Sequence, residues 1–337
     1  MAPAAFRYAD PSTEFPVVRF TDPQFSSFLP HDSNRFISRK NNFLVYGADL
    51  TGHMEAYRMD LKTGAARQLT ESHDLDPRSL FLSADERTLH YLDGGSLQSL
   101  TLSNSHGREV YRIADGYAAG QGFSVSEDGL YAALVEKKGS HYRLRLIRMA
   151  DGNTITLAEA EEEIADPIPR PRRASVLYRR GGSAWLANYD AQQNYRLRLA
   201  EGETAKCLWS PDGRDVVYLN IPTDSHKLRN LREYTPDTNE DKAIAETTQY
   251  ACFERNADGS VFVGASGSKA SPHVLLLVRA VKREFTLCEH HASDARMVRP
   301  VFAPNSQHIY FTSDRDGKPA IYGMAIEKLV TETADGQ

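Results

Sequence analysis

A unit of one turn and two short strands recurs along the chain, and this repeat limits the fold more than any other feature. Its copies begin near residues 38, 82, 124, 170, 209, 255 and 302, so successive starts lie 39 to 47 residues apart. This spacing is typical of propeller blades. The seventh copy is the clearest, with a turn around Pro304 and Asn305, a strand at His308–Thr312, a D-x-D-G turn and a strand at Ala320–Ile326.

The strand runs are short, alternate with a period of two, and are rich in β-branched and aromatic residues. Tight Asp-Gly turns bound them at Asp93, Asp128, Asp151, Asp212, Asp258 and Asp316. A pair of β-sandwiches or a parallel β-helix would not explain seven such units. The sequence therefore predicts an all-β fold, a seven-bladed β-propeller, as a single domain over residues 1–337. Residues 1–37 are predicted as an N-terminal closing segment, in which FPVVRF (15–20) pairs with the last blade.

Composition excludes several classes of protein. Of 337 residues, 41% are hydrophobic and the net charge is −5, which suits an ordinary globular domain. The longest apolar runs are too short for a membrane span, and the start MAPAAFRYAD does not read as a secretory signal, which predicts a cytoplasmic location. Dispersed basic residues predict no nucleic-acid partner. The three cysteines lack C-x-x-C spacing, which predicts reduced thiols and no zinc site.

A propeller places the first strand of each blade around a central channel, so residues just before each turn are expected to line that channel. These candidates are His31, Tyr117, Gln121, Arg170, Lys206, Tyr250, Cys252, Met297 and Arg299. The group contains three cations and no carboxylate, which favours an anionic ligand. The alternative is that these side chains only plug the channel, since a fold does not imply a function.

Other motifs give weaker signals. His290 and His291 would point to opposite faces of a strand and so would not bind one metal together. The chain has no G-x-S-x-G, H-E-x-x-H or P-loop motif. The segment REYTPDTNED (232–241) is long and polar, which favours a tolerated insertion over a cover for one face.

Three segments resemble the blade motifs of TolB-type propellers: RMDLKTGAARQLTE (58–71), WSPDG (209–213) and FTSDRDGKPAIY (311–322). The order of motifs along almost the whole chain, together with LCEHHAS (287–293), more closely resembles the oligogalacturonate lyases. That resemblance implies a cytoplasmic seven-bladed propeller that cleaves pectin-derived uronates by β-elimination. It also implies a manganese ion held by three histidines and a glutamine, with a histidine base and an assisting arginine.

The family's residues carry over unevenly. Its arginine matches Arg170, and its base histidine falls on Lys206. Its metal ligands fall on Cys252, Asp294, Met297 and Arg299, which cannot reproduce a manganese site. The resemblance therefore implies that this chain has no metal cofactor.

We expect the channel to bind a small acidic saccharide, an oligogalacturonide or a similar uronate. The hypothetical catalytic set is Lys206 as base, with Arg170 and Arg299 neutralising the uronate carboxylate. His31, Tyr250 and Gln121 are predicted further substrate contacts. The alternatives are a binding propeller without elimination activity and a TolB-like propeller that serves as a scaffold for proteins.

Overall fold

The strands of the chain form seven sheets arranged as the blades of a propeller. The computed structural model describes residues 5–224, 226–247 and 249–326. The termini of the predicted 1–337 domain, residues 1–4 and 327–337, lie outside the described residues. The predicted all-β seven-bladed propeller is confirmed.

Most blades are antiparallel sheets of four strands in chain order. Blade 1 contains β3 (Ser27–Phe28), β4 (Phe43–Ala48), β5 (Glu55–Asp60) and β6 (Ala66–Gln68). Blade 2 contains β7 (Phe81–Leu82), β8 (Thr88–Asp93), β9 (Ser96–Thr101) and β10 (His106–Arg112). Blade 3 contains β11 (Ala118–Val125), β12 (Tyr131–Lys138), β13 (His141–Arg148) and β14 (Thr154–Ala160).

The next three blades follow the same plan. Blade 4 contains β15 (Ile164–Pro169), β16 (Ser175–Arg180), β17 (Ser183–Asn188) and β18 (Asn194–Arg196). Blade 5 contains β19 (Glu203–Trp209), β20 (Val216–Ile221), β21 (Arg229–Thr235) and β22 (Glu240–Thr247). Blade 6 contains β23 (Tyr250–Arg255), β24 (Val261–Ser266), β25 (His273–Val278) and β26 (Arg283–Glu289).

Blade 7 joins the two ends of the described chain. Its five strands lie in the order β1 (Phe6–Ala9), β2 (Pro16–Arg19), β29 (Ala320–Ala325), β28 (His308–Ser313) and β27 (Val301–Phe302). In the pairing of β2 with β29, Val18 lies opposite Gly323 and Arg19 opposite Tyr322. Val17 is fully buried in the core between blades 6 and 7. An N-terminal strand thus completes the last blade and closes the ring.

Each predicted unit start falls at the turn between the first two strands of a blade. In blade 5, the Asp212 carboxylate accepts hydrogen bonds from the Arg214 amide at 3.0 Å and the Ser210 hydroxyl at 2.7 Å. The same arrangement recurs in blade 3, where Asp128 accepts from Leu130 N at 2.9 Å and Ser126 Oγ at 2.6 Å. Because these bonds are local, the turns form wherever the motif occurs.

Apolar side chains pack between neighbouring blades rather than within one blade. The core between blades 5 and 6, for example, joins Leu219 and Leu231 to Phe253, Phe262 and Leu277. Each such side chain contributes about 1.5–3 kcal/mol by leaving water. Among the described residues the helical structure is α1 (Ala295–Val298), and no helix there is long and apolar enough to cross a membrane.

One prediction about a loop was wrong. Residues 232–241 were expected to be an insertion, but they form the hairpin of β21 and β22 at the outer edge of blade 5. Polar residues alternate there because only one face of this hairpin packs on the core.

Candidate functional site

A cavity, here called the upper cavity, lies at the end of the channel where the first strands of the blades begin. It encloses about 830 Å³ when its open mouth is included. Its walls come from β15, β16, β19 and β23 and from the segment around α1. Its ionisable lining residues are His31, Asp32, Asp166, Tyr178, Arg179, Lys206, Cys207, Cys252, Arg296 and Arg299.

Four of the predicted channel residues meet in this cavity. All four line the cavity: His31, Lys206, Cys252 and Arg299. The first and the last of them are more than 260 residues apart in the sequence. They converge because the innermost strands of blades 5 and 6 and the segments that enter blades 1 and 7 surround one axis.

Arg170 was predicted in this group, and that prediction was wrong. Its guanidinium is almost fully buried at the other end of β15, where Nε donates to the Gly213 carbonyl at 2.6 Å. The group stacks over Trp209 at 4.8 Å and faces Asp237 at 3.4 Å. Arg170 therefore holds the turn of blade 5 and does not reach the upper cavity.

Other predicted contacts also lie elsewhere. Tyr250 is fully buried among core residues, with its hydroxyl donating to the Leu275 carbonyl at 3.4 Å. Gln121 is exposed on β11 and is not among the residues that line the cavity. Met297 lies in α1 beside Ser293, and Tyr117 lies under the guanidinium of Arg143 at 3.8 Å. Gln121 and Tyr250 lie at register shifts of the inner strands, and sequence spacing does not reveal such bulges.

The predicted absence of carboxylates from the channel was also wrong. Lys206 forms an ion pair with Asp32, approaches Glu254 Oε2 at 3.3 Å and donates to the Phe253 carbonyl at 2.6 Å. The side chains of Lys206 and Asp32 are 17% and 4% exposed. These residues form one buried ion cluster across the channel axis.

This cluster overturns the prediction that Lys206 is a base. Burial by itself lowers the pKa of Lys206, but the carboxylates of Asp32 and Glu254 outweigh burial and raise it above its ordinary value. The amine therefore stays protonated at neutral pH, and it has no lone pair with which to take a proton.

His31 is the nearest imidazole to the cluster. Burial lowers its pKa, although the carboxylate of Asp32 opposes that shift, so the ring is neutral at pH 7. Its Nδ1 accepts a hydrogen bond from the Ser33 amide at 3.2 Å. Nδ1 also lies 2.7 Å from Ser33 Oγ and 3.2 Å from Asp32 Oδ1, so these neighbours decide which ring nitrogen carries the proton.

The structure adds residues that sequence reasoning missed. Arg179 on β16 lines the cavity and is paired with Asp166 at 3.1 Å. Arg296 lies at the exposed rim, beside Asp294 at 3.3 Å. The sequence indicated only that Arg179 lies in the second strand of blade 4. It did not indicate that the Arg179 side chain faces the cavity, because this depends on the register shift between Ala165 and Ile168 in the neighbouring strand.

Arg299 has the least compensated charge in this cavity. Its Nε donates to the Arg296 carbonyl at 3.2 Å, and no carboxylate of the described residues lies within ion-pair distance. The residue ends α1 with φ +39° and ψ +63°, a left-handed conformation that is rare outside glycine. The backbone thus fixes an unpaired guanidinium at the wall of the cavity.

The donors at this site do not fit a manganese ion. Burial raises the pKa of the Cys252 thiol to about 11, and its Sγ donates to the Ala295 carbonyl at 3.5 Å. Arg299 and the protonated Lys206 are cations. Within residues 5–224, 226–247 and 249–326 no group of three or more His, Cys, Asp or Glu is arranged to hold a metal. Manganese prefers oxygen and imidazole ligands, but the lining carboxylates Asp32 and Asp166 are paired with Lys206 and Arg179.

His290 and His291 do not form a site either. His290 is buried, with Nε2 at 3.0 Å from the Ser266 carbonyl, whereas His291 pairs with Glu289 at 2.5 Å. The two rings therefore serve separate packing and surface contacts.

Comparisons with known proteins agree on one family. The sequence model of the oligogalacturonate lyase family matches residues 2–139. The chain is 24% identical to an oligogalacturonide lyase of Pectobacterium atrosepticum and 25% identical to an oligogalacturonate lyase of Dickeya dadantii, over 94% of each protein. A Tol-Pal system protein TolB of Nitratidesulfovibrio vulgaris is 29% identical over 40% of the chain and 29% of its own length.

Solved structures show the same fold. An oligogalacturonate lyase in complex with manganese matches with a TM-score of 0.89 and 23% identity over 96% of both chains. The oligogalacturonate lyase of Vibrio parahaemolyticus matches with a TM-score of 0.88 and 22% identity over 96% of this chain and 98% of its own. The sequence comparisons therefore confirm the resemblance to the oligogalacturonate lyases, and the solved structures confirm the propeller fold.

Proposed function

We propose that this relative of the oligogalacturonate lyases is a binding propeller that holds a uronate or short oligogalacturonide in its upper cavity without eliminating it. The proposal includes a cytoplasmic location, no metal cofactor and an acidic saccharide as the ligand. The observation that carries it is Arg299, an unpaired guanidinium fixed at the cavity wall.

The charges of the cavity support an anionic ligand. Lys206 is compensated by Asp32, and Arg179 by Asp166. Arg296 at the rim is paired with Asp294, whereas Arg299 forms no ion pair with a carboxylate of the described residues. A uronate carboxylate would satisfy Arg299 through charge-assisted hydrogen bonds, while the imidazole of His31 would suit a sugar hydroxyl, which both donates and accepts.

The same residues disfavour elimination. β-Elimination requires a base for the C5 proton of the uronate. Lys206, which occupies the position of the family's base, is held protonated by two carboxylates and so takes no proton at neutral pH. The donor set does not fit manganese, so we derive no step through a metal.

The scaffold alternative has less support. Exposed large apolar residues of the described chain are Phe6, Leu130, Ile155, Tyr195, Leu228 and Val281. They are spread over five blades, whereas a protein-docking face would gather them into one patch.

The test measures binding and turnover separately. Digalacturonate should bind to the purified protein by isothermal titration calorimetry. The Arg299→Gln variant should bind it about ten- to a hundredfold more weakly, because a charge-assisted hydrogen bond contributes about 1.5–3 kcal/mol. Arg283→Gln, on the exposed outer strand β26, is the matched control and should bind as the wild type does.

Turnover is followed by the ultraviolet absorbance of the unsaturated product, with and without added Mn²⁺. No increase in absorbance is expected in either condition. An increase would contradict the absence of elimination. Failure of digalacturonate to bind, or equal binding by the Arg299→Gln variant, would refute the binding proposal.

A further inference from the structure

The opposite end of the channel contains a second cavity, here called the lower cavity, at the face of the Pro-Asp-Gly turns. Its lining includes Arg35, Phe81, Glu127, Trp209 and Arg255. Asp32 and Lys206 line both cavities, so their ion pair lies between the two. A ligand of the lower cavity would therefore be separated from the upper cavity by the buried ion cluster.

Two guanidiniums in the lower cavity lack an anionic partner. Arg35 Nη1 is buried and has no hydrogen-bond partner among the described residues, and its guanidinium lies 5.8 Å from the ring of Phe81. Arg255 bonds two neutral carbonyls, Trp209 O at 2.7 Å and Asn256 O at 3.1 Å. Burial lowers the pKa of both groups, and the opposing effect of nearby carboxylates, Glu127 among them, compensates this only in part.

The carboxylates at this end do not remove that charge. Asp32 and Glu254 are engaged by Lys206, and Glu127 is exposed at a turn. Pro169, Pro171, Pro211 and Pro304 contribute rigid apolar walls. Two half-buried guanidiniums in a partly apolar cavity suit a compact anion that hydrogen-bonds both of them.

We propose that the lower cavity is a second anion-binding site, separate from the upper cavity, and that it takes a small carboxylate- or phosphate-bearing ligand held by Arg35 and Arg255. This proposal does not depend on the proposed function, because none of the residues that hold this anion belongs to the upper cavity.

Trp209 allows the site to be monitored directly. The chain has two tryptophans, and Trp185 does not line the lower cavity. In a Trp185→Phe background, titration with citrate or with inorganic phosphate should change the fluorescence of Trp209 saturably. The two titrations distinguish carboxylate from phosphate ligands, and a response to either supports the proposal. No response to either anion at millimolar concentration would overturn it.

Variants in the same background locate the bound anion. Arg35→Met should weaken binding of the responding anion at least about tenfold. Arg35→Lys keeps the charge and serves as a second variant, and it should bind with intermediate affinity. Arg283→Met is the matched control, because Arg283 is an exposed arginine on the outer strand β26 that does not line the cavity, and the affinity of this variant should stay unchanged.

The Arg299→Gln variant separates the two sites. It should keep its affinity for citrate or phosphate while losing affinity for digalacturonate. If Arg299→Gln abolishes the Trp209 response, or if Arg35→Met leaves it unchanged, the anion is bound elsewhere and the second site is overturned. Thermal unfolding of each variant verifies that the protein assayed is folded.

Discussion

Replacing Lys206 with methionine should destabilise the propeller by about 3–5 kcal/mol at pH 7. The substitution removes the cation from a cluster in which Asp32 is 4% exposed and Glu254 is also mostly buried. Two carboxylates would then remain in the channel with no ammonium between them. Removing one partner of a buried pair costs more than the pair itself contributes, because the remaining charge is left without compensation.

The loss should depend on pH in a defined direction. In the wild type, burial by itself raises the pKa of Asp32, but Lys206 and His31 outweigh it and lower it below the ordinary value of 3.8. The stability that the lowered pKa of Asp32 contributes is fully present above the pKa that Asp32 has in the unfolded chain. It is lost as pH falls through the lower pKa that Asp32 has in the folded chain. Without Lys206, burial raises the folded pKa of Asp32, so protonation should relieve part of the destabilisation as pH falls from 7 towards 4.

Urea denaturation at several pH values measures this effect. The Lys242→Met variant is the control, because Lys242 pairs with Glu240 at 3.0 Å with both side chains more than half exposed, and the change should be below about 1 kcal/mol. The double variant Asp32→Asn, Lys206→Met should recover part of the loss. Wild-type stability of Lys206→Met at pH 7, or a loss that does not change with pH, would refute the assignment of Lys206 to a buried ion cluster.

Two further predictions concern the turns and the thiols. Gly213→Ala should cost at least about 2 kcal/mol more than Gly129→Ala in urea denaturation. Both glycines have positive φ, +69° at Gly213 and +75° at Gly129. A Cβ at Gly213 would lie 2.2 Å from the Pro171 carbonyl oxygen, whereas a Cβ at Gly129 would meet open space. Equal losses of stability in the two variants would contradict this prediction. The two buried thiols, Cys252 and Cys288, should react with iodoacetamide only after unfolding, since burial raises the pKa of Cys252 to about 11. Rapid labelling of either thiol in the folded protein at pH 8 would contradict this.

The fold was predictable because its signals are local. The Ser-x-Asp turns bond within five residues, and strand alternation needs no knowledge of distant contacts. The repeat then leaves few architectures to choose from. The pairing of an N-terminal strand with the last blade followed from the same pattern, because a closed ring needs its ends joined.

The candidate site was less predictable because it depends on strand ends and bulges. Arg170 and Asp166 belong to one short segment of blade 4, yet Asp166 lines the upper cavity and Arg170 lies at the other end. Only the register shift between Ala165 and Ile168 decides this. Glu254, by contrast, could have been found, since it follows Cys252 by two residues and so shares its face of β23.

The charge of Lys206 shows why residue type alone misleads. From sequence, a lysine among arginines suggests a lowered pKa and a base. In the folded chain Asp32 comes from a segment 174 residues earlier and reverses that conclusion. A pKa is a property of an environment, and here the environment is assembled by contacts that no local pattern specifies.

Backbone geometry gives an independent reason to regard the upper cavity as functional. Most non-glycine residues with positive φ in this structure lie in turns, but Asp166 has φ +50° inside β15 and Arg299 has φ +39° at the end of α1. Both line the upper cavity. Such conformations cost about 1–3 kcal/mol each and persist only where the surrounding structure holds them. A channel that was merely filled by side chains would have no need of either, whereas an anion site would gain from Asp166 holding Arg179 in place and from the guanidinium of Arg299, which has no ion-pair partner among the described residues.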